Sequence, residues 1–221
     1  MERIMRKLFR QENYKIWSIA VISLLVAMIA YPFLPQEIPL HFGGNGEVDR
    51  YGGAWTIFLI PALIIFLIVS ADLFRFIDPK KQSYAKFSKQ YYRVHLLASI
   101  LFLLLEVYII AVSVGIEVMN INHLIPAVIG ILFLVIGNSM PKFKHNYFCG
   151  IRTCYTLENE DVWFMTHRLA GKIWFLGGFG MILTVFLPTS ATMIVFIIIV
   201  AILTMIPILY SYFAYKRIVK K

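Results

Sequence analysis

Long apolar runs separated by short polar segments dominate this chain of 221 residues. A helix of roughly 20 apolar residues is needed to cross about 30 Å of hydrocarbon. The runs that reach or approach this length lie at residues 16–34, 55–74, 94–116, 121–139, 172–187 and 191–213. The pattern predicts an all-α fold, a polytopic membrane helix bundle with six transmembrane helices. Pro61, Pro126 and Pro207 lie inside these runs, where we expect neighbouring helices to satisfy the carbonyls that they free.

The fifth run is the shortest, and a helical pattern precedes it. Acidic residues follow Thr156, which predicts a helix start there, because a hydroxyl caps free N–H groups and acids favour the positive end of the helix dipole. We expect this helix to lie along the membrane surface before it turns into the fifth span. One stripe of this helix consists of Trp163, Thr166, His167, Ala170 and Trp174, which recur at helical spacing.

The placement of basic residues predicts the orientation. The chain is 60% hydrophobic and has a net charge of +9. With the N-terminus inside the cell, 20 of the 21 Lys and Arg residues fall on inner segments and only Arg50 is left outside. We therefore expect cytoplasmic N and C termini, and the basic charge does not require binding to nucleic acid. Residues 1–15 are expected to form a basic amphipathic helix on the inner leaflet.

The most specific polar stretch is residues 138–171, here called the central segment, which this orientation places in the cytoplasm. Its aromatic content argues against disorder, so a loop with this much particular chemistry is expected to be functional. The residues that stand out are Gly137-Asn138, Pro141, Asn146-Tyr147-Phe148, Gly150-Ile151-Arg152-Thr153, Thr156-Leu157, Val162-Trp163, Thr166-His167-Arg168 and Gly171-Lys172. They resemble the signature of the SdpI-like immunity family, bacterial multi-pass membrane proteins that protect the cell from a secreted peptide toxin. The chain has Cys154-Tyr155 where that family usually has Pro-Trp.

A second polar stretch, residues 35–54, lies on the predicted outer side. Pro35 and Pro39 favour extended backbone, and five glycines allow tight turns. Its Leu-Pro-x-x-Ile-Pro-x-His-Phe pattern, followed by Gly46 and Asp49, resembles the DUF1648 pattern found at the start of these same immunity proteins. The two resemblances imply a DUF1648-like part at residues 1–93, with two spans and a structured outer loop. An SdpI-like part with four spans would follow at residues 94–221.

Four further side chains are candidates for binding. His41, Glu47 and Asp49 could bind a metal ion together with His123, but they lack a metal-binding spacing, so our main expectation is a polar cap whose histidine bonds to the backbone. Glu106 lies near the middle of the third span, where an ionised carboxylate costs about 2.5–3.5 kcal/mol on insertion scales. It should be protonated, paired or facing a cavity, and either a proton or ligand site or an interhelical hydrogen bond explains it.

The sequence contains no nucleophile–base pair, phosphate-binding glycine loop or zinc motif, so we expect neither an enzyme nor a cofactor. Cys149 and Cys154 lie in the predicted cytosolic segment and are expected to be free thiols. The candidate residues for ligand or partner binding are Asn138, Pro141, Asn146, Arg152, Thr153, Trp163, His167 and Arg168 in the central segment, His41, Glu47 and Asp49 in the outer loop, and Glu106 in the membrane.

Three functions remain open. The resemblance implies an integral immunity or sensor protein of the bacterial plasma membrane, whose partners are the lipid bilayer and a secreted peptide toxin. In some members of that family the presence of toxin is also relayed to a cytosolic winged-helix transcriptional repressor. Glu106 favours the alternative of a small permease or ion-coupled carrier. A regulatory scaffold without an outer ligand is the third hypothesis, and the immunity protein is our main one.

Overall fold

The structure is a computed structural model that describes residues 14–219. The expected amphipathic helix at residues 1–15 lies almost entirely outside the described residues. The helices are α1 (Tyr14–Ala30), α2 (Leu59–Ile77), α3 (Ser88–Ser113), α4 (Ile121–Ser139), α5 (Cys154–Glu158), α6 (Glu160–Leu183) and α7 (Thr189–Val219). The strands β1 (Glu37–Phe42) and β2 (Val48–Gly53) pair antiparallel and form a hairpin between α1 and α2.

Within residues 14–219, 6 helices are long and apolar enough to cross a membrane, and they are all the α-helices except the short α5. The predicted all-α membrane bundle is therefore confirmed. The hairpin was not expected, because Pro39 within β1 removes a donor and weakens the sequence signal of a strand. The cytoplasmic location of both termini stays a prediction.

The start of the fifth span corrects two expectations. The predicted surface helix and the span are one continuous helix, α6, so no turn separates them. The residue that caps α6 is Asn159, whose side-chain oxygen accepts from the N–H groups of Asp161 and Val162 at 2.9 and 3.1 Å. Thr156 is not a cap but the third residue of α5, so the acidic residues after it belong to the first turn of α6.

The chain forms two compact units. The first comprises the described residues up to Leu73 together with His95–Leu124, and the second comprises Phe74–Val94 together with the described residues from Ile125 onward. The central segment belongs to the second unit, whereas the hairpin and Glu106 belong to the first. The expected division into domains at residue 93 stays a prediction.

The hairpin is fixed within the first unit at its base and at its tip. At the base, Ile38 packs in a buried cluster with Ala27 and Ile57. At the tip, Gly46 has φ +82°, and the side-chain amide of Asn120 occupies the space that a Cβ atom on Gly46 would need. Asn122 donates from Nδ2 to the carbonyl of Gly44 at 2.7 Å. The outer loop is thus a folded element and not a flexible linker.

Glycines allow α4 and α6 to approach backbone to backbone in the second unit. A Cβ atom on Gly137 would lie 2.5 Å from the backbone nitrogen of Phe175, and one on Gly171 would lie 2.8 Å from the carbonyl of Gly137. One further pair, Gly130 and Gly178, repeats this contact, with each added Cβ 2.6 Å from the other's carbonyl oxygen. Without side chains at these four positions, the two helices can pack closely.

The expectation for Pro207 is confirmed. Because proline has no N–H, the carbonyl of Leu203, four residues earlier in α7, lacks its usual helical donor. The indole N–H of Trp174 in α6 donates to this carbonyl at 2.9 Å. A neighbouring helix therefore satisfies the carbonyl that the proline frees.

Candidate functional site

Asn146 organises the first half of the central segment. The side chain is fully buried, and its Oδ1 accepts from the main-chain N–H groups of Phe148 and Cys149 at 3.0 and 2.6 Å. Its Nδ2 donates to the carbonyls of Lys144 and Cys149 at 2.8 and 2.9 Å. One amide therefore satisfies four backbone groups of a loop that has no regular secondary structure, which fixes the path of the chain.

A second polar loop, between α2 and α3, is hydrogen-bonded to the central segment through Asp78. This carboxylate is buried, and it accepts from the hydroxyl of Tyr84 and from the main-chain N–H of Tyr147, each at 2.9 Å. It also accepts from the main-chain N–H of Lys80 at 2.7 Å. The Tyr84 hydroxyl lies 3.2 Å from Oδ1 of Asn146, so the two loops share one buried polar network.

An aromatic core supports this network. Tyr84 and Phe87 are fully buried and pack with Met140, Phe143 and Ala170. The ring of Phe74, in the last turn of α2, stacks on that of Phe148 with a centroid distance of 5.0 Å. The contacts are apolar and long-range, so the two loops form one folded body.

The Gly-Ile-Arg-Thr turn is held by His167 of α6. The main-chain N–H of Ile151 donates to Nε2 of this fully buried ring at 3.1 Å. Gly150 has φ +109°, and a Cβ atom there would lie 2.3 Å from the same Nε2. Both the backbone conformation and the close approach therefore require glycine at position 150.

Thr153 ends the turn and caps α5. Its hydroxyl oxygen accepts from the N–H of Thr156 at 3.2 Å, and the Thr156 hydroxyl accepts from the N–H of Thr153 at 3.0 Å, which is a capping box. Cys154 is the first residue of α5, a position at which proline is favoured in helices. The family's usual proline therefore fits this position, and the capping box holds the helix start without it.

Trp163 and His145 lie beneath the turn. The fully buried indole of Trp163 donates to the carbonyl of Phe143 at 2.9 Å and stacks on His167 with a centroid distance of 4.0 Å. His145 also packs against the indole, with a centroid distance of 5.1 Å, and its Nδ1 lies 2.7 Å from Nζ of Lys80. Burial and then the neighbouring Lys80 charge hold the pKa of His145 below its ordinary value.

The remaining candidates of the central segment are exposed. Asn138 lies in the last turn of α4, and Arg168 lies on the outside of α6. Pro141 is exposed too, but its ring contacts Gly171. Arg152 donates from Nη1 to the carbonyl of Tyr147 at 2.9 Å and keeps further N–H donors at the surface. The guanidinium of Arg152 therefore bonds within the segment itself.

The hairpin brings two of its three candidates together. Nδ1 of His41 lies 2.6 Å from Oδ1 of Asp49, with about half of each side chain exposed. Glu47 instead accepts from Nδ2 of Asn45 at 2.6 Å. The expected bond from the histidine to the backbone is therefore wrong, because its partner is a carboxylate. Within residues 14–219 no group of three or more His, Cys, Asp and Glu side chains is arranged to hold a metal ion.

Glu106 is fully buried in the first unit and accepts a hydrogen bond from the hydroxyl of Ser23 in α1. It is the nineteenth of the 26 residues of α3 and so lies beyond its middle, because the helix begins earlier than expected, at Ser88. An interhelical hydrogen bond is thus present, and a role in binding stays a proposal.

Neither the Cys149 thiol nor the His167 imidazole of the central segment is available as a nucleophile or a base. Burial raises the pKa of the Cys149 thiol to about 12, so it stays protonated at neutral pH. Both nitrogens of His167 are engaged with backbone groups. The surface of the segment carries exposed cations, including Arg152 and Arg168.

The sequence does not identify Asp78, Lys80 and Tyr84 as residues that contact or hold the central segment. Asp78 stands between an apolar helix and a Pro-Lys-Lys run, a context typical of a solvated turn. Its burial depends on contacts with residues more than sixty positions away, which no local pattern indicates. An aspartate directly before proline at the end of a span was the one available signal.

These features define a class, a polytopic helical membrane protein with a folded hairpin in one unit and a structured polar segment in the other. Residues 142–211 match the model of the SdpI/YfhL protein family, and residues 18–65 match a domain of unknown function, DUF1648. The chain is 30% identical over 204 residues to the immunity protein SdpI of Bacillus subtilis (strain 168), which covers 90% of this chain and 94% of that protein. The chain belongs to the SdpI/YfhL family.

A shorter match extends to the archaea. An uncharacterized protein of Archaeoglobus fulgidus is 34% identical over 59 residues, 24% of this chain and 32% of that protein. No solved structure matches the chain. Family membership confirms the resemblance seen in the sequence and the assignment to the membrane, and the family is not one of enzymes.

Proposed function

We propose that this protein is a membrane immunity protein that protects its cell against a secreted peptide toxin. The similarity to the immunity protein SdpI carries the proposal, because it extends over 204 residues, 90% of this chain and 94% of that protein. We expect the toxin to bind at the hairpin in the first unit, and the central segment to signal that toxin is bound.

The test is survival. A toxin-sensitive strain expressing the full chain is exposed to the secreted peptides encoded beside its gene, and the same strain with an empty vector is the control. We expect the expressing cells to survive at peptide concentrations that kill the control. Unchanged killing by every peptide tested would contradict the proposal.

The finer part of the proposal is that the central segment captures a cytosolic winged-helix repressor when toxin is bound. The support is its shape, a rigid loop network from which Arg152 and Arg168 remain exposed. Fluorescence microscopy of a tagged repressor encoded nearby tests this. We expect toxin to move the repressor to the membrane, and a repressor that stays in the cytosol at protective toxin concentrations would contradict it.

The scaffold hypothesis differs in having no outer ligand. Leu40 and Tyr51 of the hairpin are 45% and 55% exposed, so replacing both by serine should leave the fold intact. The immunity proposal expects this double variant to lose protection while it still inserts into the membrane. A scaffold would signal as before.

A small carrier is the second candidate function, favoured by the buried Glu106 carboxyl inside a span. Flux assays in proteoliposomes distinguish it from the immunity protein. A carrier loses its flux in Glu106→Gln, whereas an immunity protein moves no substrate and keeps its protection.

A further inference from the structure

Glu106 and Ser23 meet inside the first unit. Both side chains are fully buried, and the Ser23 hydroxyl donates to Oε2 of Glu106. The second oxygen, Oε1, is buried as well and has no hydrogen-bond partner among the described residues. A buried carboxyl with one unused oxygen is unusual, because buried polar atoms are nearly always paired.

The two residues lie at the same distance from the C-terminal ends of their helices. Ser23 is seven residues before the end of α1, and Glu106 is seven residues before the end of α3. At about 1.5 Å per residue, each lies about 10 Å inside its helix. Since one span separates α1 from α3 along the chain, both helices end on the same side, and the matched distances from these ends fit direct contact within the hydrocarbon.

The described cations of α1 and α3 lie well away from this pair along their helices, and His123 of this unit is the third residue of α4. Lys15 is eight residues from Ser23 in α1, about 12 Å, and His95 is eleven residues from Glu106 in α3, about 16 Å. The hydroxyl of Tyr108 is engaged with the carbonyl of Met119. Asp72 lies five residues before the C-terminal end of α2, and that end is on the opposite side of the membrane from the C-terminal ends of α1 and α3. The titratable side chains of the hairpin are exposed, and they are Glu37, His41, Glu47, Asp49, Arg50 and Tyr51.

We propose that Glu106 is a proton-binding site, with the proton on Oε1 and the Ser23 hydroxyl bonded to the carbonyl oxygen Oε2. Binding converts a carboxylate and one proton into a neutral carboxylic acid, and no other group changes its charge. The neutral form removes the cost of an unpaired charge in hydrocarbon. It also turns Oε1 from an unused acceptor into a donor, which a water molecule or another small acceptor can reach if α1 and α3 separate. The proposal does not depend on the immunity function.

Infrared spectroscopy of the full-length protein in lipid vesicles tests the proposal through the C=O stretch of a protonated carboxyl. At neutral pH we expect a band in the wild-type protein that is missing in Glu106→Gln. Glu117→Gln, an exposed carboxyl on the connection after α3, is the matched control and should keep the band. In Ser23→Ala the band should move to higher frequency, because its carbonyl loses a hydrogen bond.

The outcomes separate clearly. A wild-type spectrum without this band at neutral pH, or a band that persists in Glu106→Gln, would overturn the proposal. If Glu106→Gln does not fold, Ser23→Ala decides alone, since a shifted band supports the site and an unshifted band refutes the pairing. A structural hydrogen bond to an ionised carboxylate would give no protonated band in any variant.

Discussion

The main-chain N–H of Ile151 donates to Nε2 of His167 at 3.1 Å, across sixteen residues of sequence. Nδ1 of the same ring lies 2.8 Å from the carbonyl of Trp163, and because a carbonyl only accepts, Nδ1 must carry the proton. The partners of the ring thus select the neutral tautomer with Nε2 free to accept. This single buried ring fixes the turn that places Arg152 at the surface.

Replacing His167 by alanine should therefore destabilise the protein. The N–H of Ile151 would be left without its partner, at a cost of about 1–3 kcal/mol, and the lost ring would add the cost of a cavity. We expect a lower melting temperature in detergent and loss of protection. Arg168 is an exposed neighbour on the same helix. The free energy of unfolding of Arg168→Ala should therefore lie within about 0.5 kcal/mol of the wild-type value. Equal melting temperatures of His167→Ala and Arg168→Ala would contradict this role for His167.

Asp78→Asn should loosen the contact between the two polar loops. The carboxylate accepts three hydrogen bonds from Lys80, Tyr84 and Tyr147, whereas an asparagine turns an N–H₂ group towards at least one of these donors. Hydrogen bonds to charged groups contribute about 1.5–3 kcal/mol each. We expect faster proteolysis in the loop between α2 and α3. Asp161→Asn, an exposed acid in the first turn of α6, is the control, and equal cleavage of both variants would count against the network.

Sequence predicted the spans and the stripe of α6 because both are periodic and local. Trp163, Thr166, His167 and Ala170 are indeed buried. The sequence predicts one helix start at Thr156, which lies three residues from each of the two caps in the structure, Thr153 and Asn159. All three side chains are plausible caps, and only tertiary contacts choose between them. Asp78 was missed for a different reason, because its partners come from another part of the chain.

The close approach of α4 and α6 gives a prediction for Gly137 of α4, and Gly180 of α6 provides the control. Gly137→Ala places a Cβ atom 2.5 Å from the backbone nitrogen of Phe175, so the helices must separate. A Cβ atom on Gly180 has its nearest neighbour at 3.5 Å, an ordinary contact. We expect Gly137→Ala to lower the melting temperature, and Gly180→Ala to match or raise it, since alanine gains up to about 1 kcal/mol of helix propensity over glycine. The reverse order would show that this helix contact is not tight.

Stability should fall in mild acid because of His145. Its pKa in the folded state lies below the ordinary value of 6.5, owing to burial and the Lys80 charge. As the pH falls through 6.5 the unfolded chain gains a proton that the folded protein does not, so the free energy of unfolding decreases. We expect His145→Asn to lose less stability than wild type between about pH 7.5 and pH 5.5. Lys80→Met removes one of the two causes of the lowered pKa, so its loss of stability should lie between those of wild type and His145→Asn. Identical pH profiles of stability for the three proteins would refute the assignment.

The most direct test of the account is the side of the membrane on which the central segment lies. Cys154 is exposed, whereas the Cys149 thiol, with its pKa raised to about 12, should react slowly. A membrane-impermeant maleimide should label Cys154 only after the cells are permeabilised, and Cys154→Ser, but not Cys149→Ser, should abolish the labelling. That result places the Gly-Ile-Arg-Thr turn in the cytosol, where a repressor can reach it. Labelling of Cys154 in intact cells would contradict the account.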